Sequence, residues 1–347
     1  MNESSLLPMA VRAGAPSELP ELPTDAGLTW RPLAPDDVPA WHALAVIVED
    51  HDDAIERSSA EEFAELFKGD WRDATRDTVG GFAANGELRA YARAELNPVT
   101  EGTLTPTLFG AVHPDIRRRG IGRALATWAI ARARQQLAAT DSTLPARIRI
   151  FADEHQAGAR VVAEQAGFTA VRWYVCMRRS LSTELPDVQL APEIRIEPYS
   201  AERDDEVRIT HNESFAVDHW GSNPIDAQAW ALTVIESAGF RADWSFIAVD
   251  TTTNHVVGYT IAGAYEQDWK PQGFTEGWTD LLGVRREYRG RGIAAALLRA
   301  SMRAYAASGI EYAGLDVDTE NPTGALGLYT RLGYVPDRGS VLYAKDV

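Results

Sequence analysis

The chain carries one cysteine, Cys176, in 347 residues. A lone thiol can form neither an internal disulfide nor a cysteine-based metal cluster, so the fold must hold by packing, and a reducing cytoplasm is the expected setting. Lysine is nearly as scarce, standing only at positions 68, 270 and 345, and arginine supplies almost all the positive charge. No apolar run nears the roughly 20 residues that span a bilayer, so no membrane protein is expected. An excess of positive charge is missing too. The net charge is −16, and a division after Val188 leaves both parts acidic, which excludes a basic nucleic-acid module in either. An acidic surface favours cationic small molecules over polyanions.

What is present suits two domains of ordinary size, since 45% hydrophobic and 24% charged residues allow a packed core in each half. Residues 1–27 are rich in Pro, Ser and Glu and lack both a basic start and an apolar stretch. They read as a disordered leader.

The chain repeats itself. Val112-His113-Pro114-Asp115-Ile116-Arg117-Arg118-Arg119-Gly120-Ile121-Gly122 recurs as Val284-Arg285-Arg286-Glu287-Tyr288-Arg289-Gly290-Arg291-Gly292-Ile293-Ala294. Each copy follows a strand-like segment and opens a helix of apolar spacing. A short strand, a small helix ending in Gly-Phe or Gly-Tyr, and a last apolar strand (171–177 or 340–344) then close each half. Upstream, both halves have an entry strand, acidic helical stretches and a hairpin, the first turned by Asn85-Gly86 as a two-residue loop. This predicts a 28–180 domain, a 181–192 linker and a 193–347 domain, each an α/β unit with a mixed sheet and a strand–helix–strand crossover.

A strand that ends in Arg and Gly just where a helix starts is suited to an anion. The first helical turn leaves N–H groups unpaired, the dipole favours negative charge, and glycine lets backbone approach a phosphate. Neighbouring arginines add forked donors. A dinucleotide fingerprint would want a third glycine where Leu125 and Leu297 stand, and a Walker loop would want Gly-Lys-Ser/Thr; neither is present. What stands twice is Arg-x-x-Gly-x-Gly/Ala, as Arg117/Gly120/Gly122 and Arg289/Gly292/Ala294. This resembles the acyl-CoA pyrophosphate loop of the GCN5-related N-acetyltransferase (GNAT) superfamily. The resemblance covers nearly the whole chain from Leu28. In layout it is similar to the tandem members of that superfamily, mycothiol synthase and antibiotic-pathway acetyltransferases among them.

The resemblance implies two tandem GNAT-like domains whose central parallel strands splay to hold the pantetheine arm of acetyl-CoA. In the second copy the arm would lie along Leu282 and Val284, with the N–H near Val284 as oxyanion donor. The pyrophosphate would rest on Arg289, Gly290, Arg291, Gly292, Ile293 and Ala294. In the first copy the matching residues are Val112, Arg117, Arg118, Arg119, Gly120 and Gly122. The segment from Asp318 to Tyr329 matches the superfamily's last motif, so Asn321 would contact the CoA arm and Tyr329 would protonate the thiolate. The first copy has His155 and Ala163 at those places and lacks the acid. It would bind a second, unproductive acyl-CoA or merely support its partner.

The general base stays open among three carboxylates. Glu276 and Asp280 alternate with Trp278 and share one face of the strand before the loop; Asp318 ends the next strand. Asp218, His219 and Trp220 would roof the acceptor pocket with charge and an aromatic wall, and Asp318 would border it. No metal is implied. The expectation is a cytoplasmic acetyl-CoA-dependent N-acetyltransferase, monomeric or homodimeric, acting on a small-molecule amine and on neither nucleic acid nor membrane. A non-catalytic acyl-CoA sensor and a protein N-acetyltransferase are the alternatives.

Overall fold

The computed structural model describes residues 7–24, 26–54, 56–215, 222–320 and 324–347. Contacts divide the chain into two compact units: Met1–Arg172 with Ser340–Val347, and Trp173–Gly339.

The first unit contains α1 (Met9–Arg12), β1 (Thr29–Arg31), α2 (Val38–Asp52), α3 (Ala60–Glu65), α4 (Ala74–Asp77), β2 (Thr78–Phe82), β3 (Leu88–Glu95), β4 (Thr107–Val112), α5 (Ile121–Ala138), β5 (Arg147–Asp153), α6 (Ala157–Gln165) and the opening of β6 (Thr169–Ser180). Strands β1 to β5 follow one another across the sheet. All neighbours are antiparallel except β4 and β5. β3 alternates buried and half-buried residues, and Ala90, Ala92 and Ala94 join the core that Leu125, Trp128 and Ala129 of α5 complete. Small residues on the strand let the helix sit close.

The second unit contains the rest of β6, then β7 (Ile194–Pro198), α7 (Asp204–Phe215), α8 (Ala227–Trp230), β8 (Phe246–Asp250), β9 (Val256–Gly263), α9 (Glu266–Gln272), β10 (Glu276–Val284), α10 (Ile293–Ala307), β11 (Tyr312–Asp318), α11 (Ala325–Arg331) and the opening of β12 (Val335–Asp346). The order here is β6-β11-β10-β9-β8-β7. Every residue of β9 is buried, as a central strand covered on both faces requires. In α10 the buried residues Leu297, Leu298, Ser301, Met302 and Tyr305 recur every three or four positions and form one face.

Three expectations need correction. Residues from Met9 onward do not behave as a disordered leader. Met9 and Ala13 are fully buried in the first core, Arg134 donates to the Ala13 carbonyl, and Trp30 Nε1 donates to the Pro23 carbonyl at 2.9 Å. A few apolar anchors and side chain-to-backbone bonds thus order a segment whose composition reads as loose. The Asn85-Gly86 turn is one residue longer than expected. Ala83 N donates to Glu87 O and Gly86 takes φ +83°, so Ala84, Asn85 and Gly86 form the loop. Lastly, the closing strands are exchanged. Tyr174–Ser180 of β6 pairs with β11, and Ser340–Asp346 of β12 pairs with β5. Each half of the repeat is therefore closed by the strand that ends the other.

Candidate active site

In the second unit β10 and β11 run parallel in register from Glu276↔Tyr312 to Thr279↔Leu315, and pairing stops there although both strands continue. From Asp280 to Val284 the β11-facing edge of β10 has no registered partner among the described residues, while β9 still pairs on the other side. The first unit splays in the same way. β4 and β5 share the pair Thr107↔Arg149 and the bridge Leu104↔Ala146, then part. An unpaired strand edge offers N–H and C=O groups to an extended ligand.

At the end of each of these strands comes a turn with repeated geometry. Arg117 N and Arg289 N donate to Pro114 O and Arg286 O, both at 3.2 Å. Ala124 N and Ala296 N donate to Gly120 O and Gly292 O. Gly120 and Gly292 take φ +84° and +79° and cap α5 and α10, and Arg118 and Gly290 take φ +65° and +77°. Left-handed residues at alternate positions before a long helix turn the backbone so that amides at the helix start can meet an anion, which suits a phosphate.

The motif arginines act on the turn itself. Arg117 Nε donates to Val112 O at 2.9 Å and its guanidinium forks onto Asp52; Arg289 donates to Val284 O and Ser214 O at 3.2 and 3.0 Å. They brace the turn against the strand and against the end of α2 or α7. Both arginines thus have partners within their own unit. Arg291 bonds Glu193 Oε1 and Glu287 O and lies over the Tyr288 ring. The two turns differ in one respect. A Cβ on Gly292 would stand 2.0 Å from Gln189 O, whereas one on Gly120 would meet nothing within 4 Å.

The carboxylates separate by environment. Glu276, buried, is bound by Arg178 through Nε–Oε1 at 2.6 Å, and Arg178 also holds Asp337. Burial raises the Glu276 pKa and Arg178 opposes the rise. Its committed oxygen makes it the weaker choice of base, and Arg178 was not legible as a partner because it lies on an exchanged strand. Asp280 is different. It is the extra residue of a bulge, since Thr279 pairs with Ala262 and Leu281 with Ile261. Burial pushes its carboxyl up to about 7, against a hydrogen bond from Tyr265 Oη at 2.7 Å. A carboxyl near neutrality is suited to general base work. Asp318 Oδ1 accepts from Glu320 N at 2.9 Å and caps the end of β11.

Tyr329 on α11 is 8% exposed, packs edge-on to Tyr334 with ring centroids 6.0 Å apart, and has its pKa pushed up to about 12 by burial. It stays protonated across the physiological range. Tyr334 N donates to Tyr329 O just as Phe168 N donates to Ala163 O, so Ala163 occupies the corresponding place in the first unit with no hydroxyl to offer. Asn321 and the trio Asp218, His219 and Trp220 lie outside the described residues. Tyr265, Gly263 and Gly239 were not picked out from the sequence. The one available signal was a tyrosine two residues beyond a strand that ends in glycine.

A parallel pair that splays where a glycine-capped helix begins, built twice in one chain, defines an N-acetyltransferase class of fold. Comparison with known proteins agrees. Residues 44–168 match the acetyltransferase (GNAT) family and residues 242–336 an acetyltransferase (GNAT) domain. A mycothiol acetyltransferase from Salinispora tropica is 31% identical over 72% of this chain and 76% of that protein. The crystal structure of a GCN5-related N-acetyltransferase from Sphaerobacter thermophilus aligns with TM-score 0.69 and 26% identity, over 94% of this chain and 97% of the other. A tandem GNAT protein from the clavulanic acid biosynthesis pathway shares the fold, with TM-score 0.63 and 17% identity over 92% and 98% of the two chains. The chain belongs to the GNAT acetyltransferase family, as a tandem member. Its GNAT domains imply acetyl-CoA as co-substrate, and the splayed edge and glycine turn fit that molecule. Among the described residues no helix is long and apolar enough to cross a membrane.

Proposed function

We propose that the second unit moves an acetyl group from acetyl-CoA to the primary amine of a small molecule by direct attack, with Asp280 as general base and Tyr329 as general acid. Asp280 carries the proposal, because a bulge lodges it where β10 and β11 part, and burial raises its carboxyl into the range of a general base. Acetyl-CoA supplies an activated acetyl group as a thioester. The amides from Gly290 to Ala294 bind its diphosphate, with Ile293 opening the helix, and the free edge of β10 at Leu282 and Val284 takes the pantetheine arm. The N–H near Val284 faces the oxyanion, a role worth about 3–4 kcal/mol where such donors have been removed. Asn321 orients the arm. Asp218, His219, Trp220 and Asp318 border the acceptor.

In the first unit the turn from Val112 to Gly122 holds a second acyl-CoA that does not react, since Ala163 supplies no proton. Because relatives are named mycothiol acetyltransferase, an amine precursor of mycothiol heads the panel of candidate acceptors to be tried. Thiol release from acetyl-CoA across that panel tests the reading. Asp280→Asn and Tyr329→Phe should each lower kcat by about 10²–10⁴-fold, with calorimetric acetyl-CoA affinity retained. Full turnover in Tyr329→Phe would remove the acid assignment.

A further inference from the structure

A bulge gives Asp280 its place, but a bulged carboxylate with no cation beside it needs something else to fix its orientation. No ion pair reaches Asp280 among the described residues. What reaches it is the phenol of Tyr265, two residues past the end of β9, whose Oη donates to Oδ1 at 2.7 Å. The other oxygen lies over Gly263, where a Cβ would come within 2.7 Å of Oδ2. The Tyr265 ring needs a glycine as well. A Cβ on Gly239 would stand 2.9 Å from its Cε1. Gly239 and Gly263 are themselves joined, since Ala264 N donates to Gly239 O at 2.8 Å and Phe240 bridges to Gly263. Two glycines on adjoining segments thus leave room for one phenol and one carboxylate in contact.

We propose that Tyr265 is a positioning residue for the base: its hydroxyl fixes Oδ1 of Asp280, so that Oδ2, in the space left by Gly263, is the oxygen that receives the proton of the acceptor amine. This rests on the reading of Asp280 as the base. The arrangement gives Oδ1 a donor and sets Oδ2 against Gly263. A carboxylate free to rotate would present either oxygen and would lose the near-attack geometry that proton abstraction needs. The hydrogen bond also favours the charged form, and so works against burial.

Among the described residues, three elements bring titratable groups toward Asp280. Tyr305 of α10 is fully buried and kept neutral, with its hydroxyl bonded to Trp278 O. Glu276, on β10 itself, is held by Arg178 of β6. Arg241 bonds Gly239 O at 3.2 Å and pairs with Glu266 at the start of α9. Loss of the Tyr265 hydroxyl would thus remove the hydrogen bond that Oδ1 of Asp280 accepts.

The test is the acid limb of kcat at saturating acetyl-CoA and amine, which reports groups in the ternary complex. Tyr265→Phe should shift that limb upward by about one unit, the scale of one lost hydrogen bond to a carboxylate. At pH 6.5 this is roughly a 5–10-fold loss of kcat that shrinks to within about twofold at pH 9. Gly263→Ala should displace Oδ2 and lower kcat about tenfold or more at every pH, with the KM for acetyl-CoA unchanged. A Tyr265→Phe profile superimposed on the native one would overturn the proposal, as would full activity in Gly263→Ala. Should Tyr265→Phe fail to fold, Gly263→Ala decides alone. Asp280→Asn tells the two failures apart. If it is inactive while Tyr265→Phe is native-like, only the positioning role falls; if it keeps native activity and limb, the base itself was misassigned.

Discussion

At Asp280 burial and charge compete, and the balance has a consequence for stability as well as for rate. The folded protein holds this carboxyl at about 7, above the ordinary 3.8. Between those values the unfolded chain binds fewer protons than the native one, so stability falls as pH rises through this window and levels off above it. Asp280→Asn removes the buried charge and keeps the side chain's shape. It should therefore raise stability at pH 8 by about 1–2 kcal/mol, once solvent screening of a half-buried group is allowed for, and leave pH 4 stability nearly unchanged. Denaturant melts at the two pH values check this, and equal shifts at both would contradict it. A gain in stability beside a loss of activity is the pattern expected where a strained site is kept for function.

The sequence made Asp280 a candidate because side chains alternate along a strand, and Glu276 was an equal candidate on the same ground. What separates them lies beyond strand periodicity. The Arg178 that ties Glu276 comes from a distant strand, and the bulge that lodges Asp280 against Tyr265 follows from the register with β9.

At the scale of the element, the turns were the most legible feature, because the positive φ at positions 120 and 292 favours glycine in both copies, although Arg118 takes φ +65° where Gly290 stands. The splay of the parallel strands beside them carries no residue signature and was available only through family resemblance. The arginines of the motif show a different limit. A guanidinium next to a glycine turn reads as an anion ligand, and the sequence carries no sign that Arg117 and Arg289 also bond strand-end carbonyls and Asp52 or Ser214 O. The glycines permit a matched pair of substitutions. Gly120→Ala imposes a left-handed backbone at a cost of about 1–2 kcal/mol, with open space around the new methyl. Gly292→Ala imposes the same backbone cost and also drives a methyl into Gln189 O. The KM for acetyl-CoA should rise about tenfold or more in Gly292→Ala and stay near native in Gly120→Ala. Steady-state kinetics on the two variants decide it, and equal effects would mean that both turns serve the measured reaction.

At the scale of the whole molecule, the exchanged strands alter what a truncation should do. The internal repeat suggests that the chain can be cut between 181 and 192 into two self-sufficient halves. The compact units are drawn otherwise, since Ser340–Val347 belongs to the first and Trp173–Ser180 to the second. Repeats in sequence report common ancestry of segments, whereas strand pairing is settled in three dimensions, where either closing strand presents a similar apolar edge. A chain that stops after Gly339 would keep Asp280, Tyr265, Tyr329, Arg178 and the Gly292 turn, all inside the second unit. It would strip β5 of its partner from Ser340↔Asp153 to Asp346↔Arg147 and remove the buried Val341, Leu342, Tyr343 and Ala344. Burial of such side chains contributes about 1.5–3 kcal/mol each for the larger ones, and a bared strand edge invites aggregation. The expected result is a chain whose first unit melts well below the native temperature, while kcat measured beneath that transition stays within a few-fold of native. Scanning calorimetry with parallel rate measurements tests this. Loss of kcat with an unchanged melt would place the reaction in the first unit, and a chain begun at residue 193 should fail instead, because it lacks both Arg178 and the strand that closes β11.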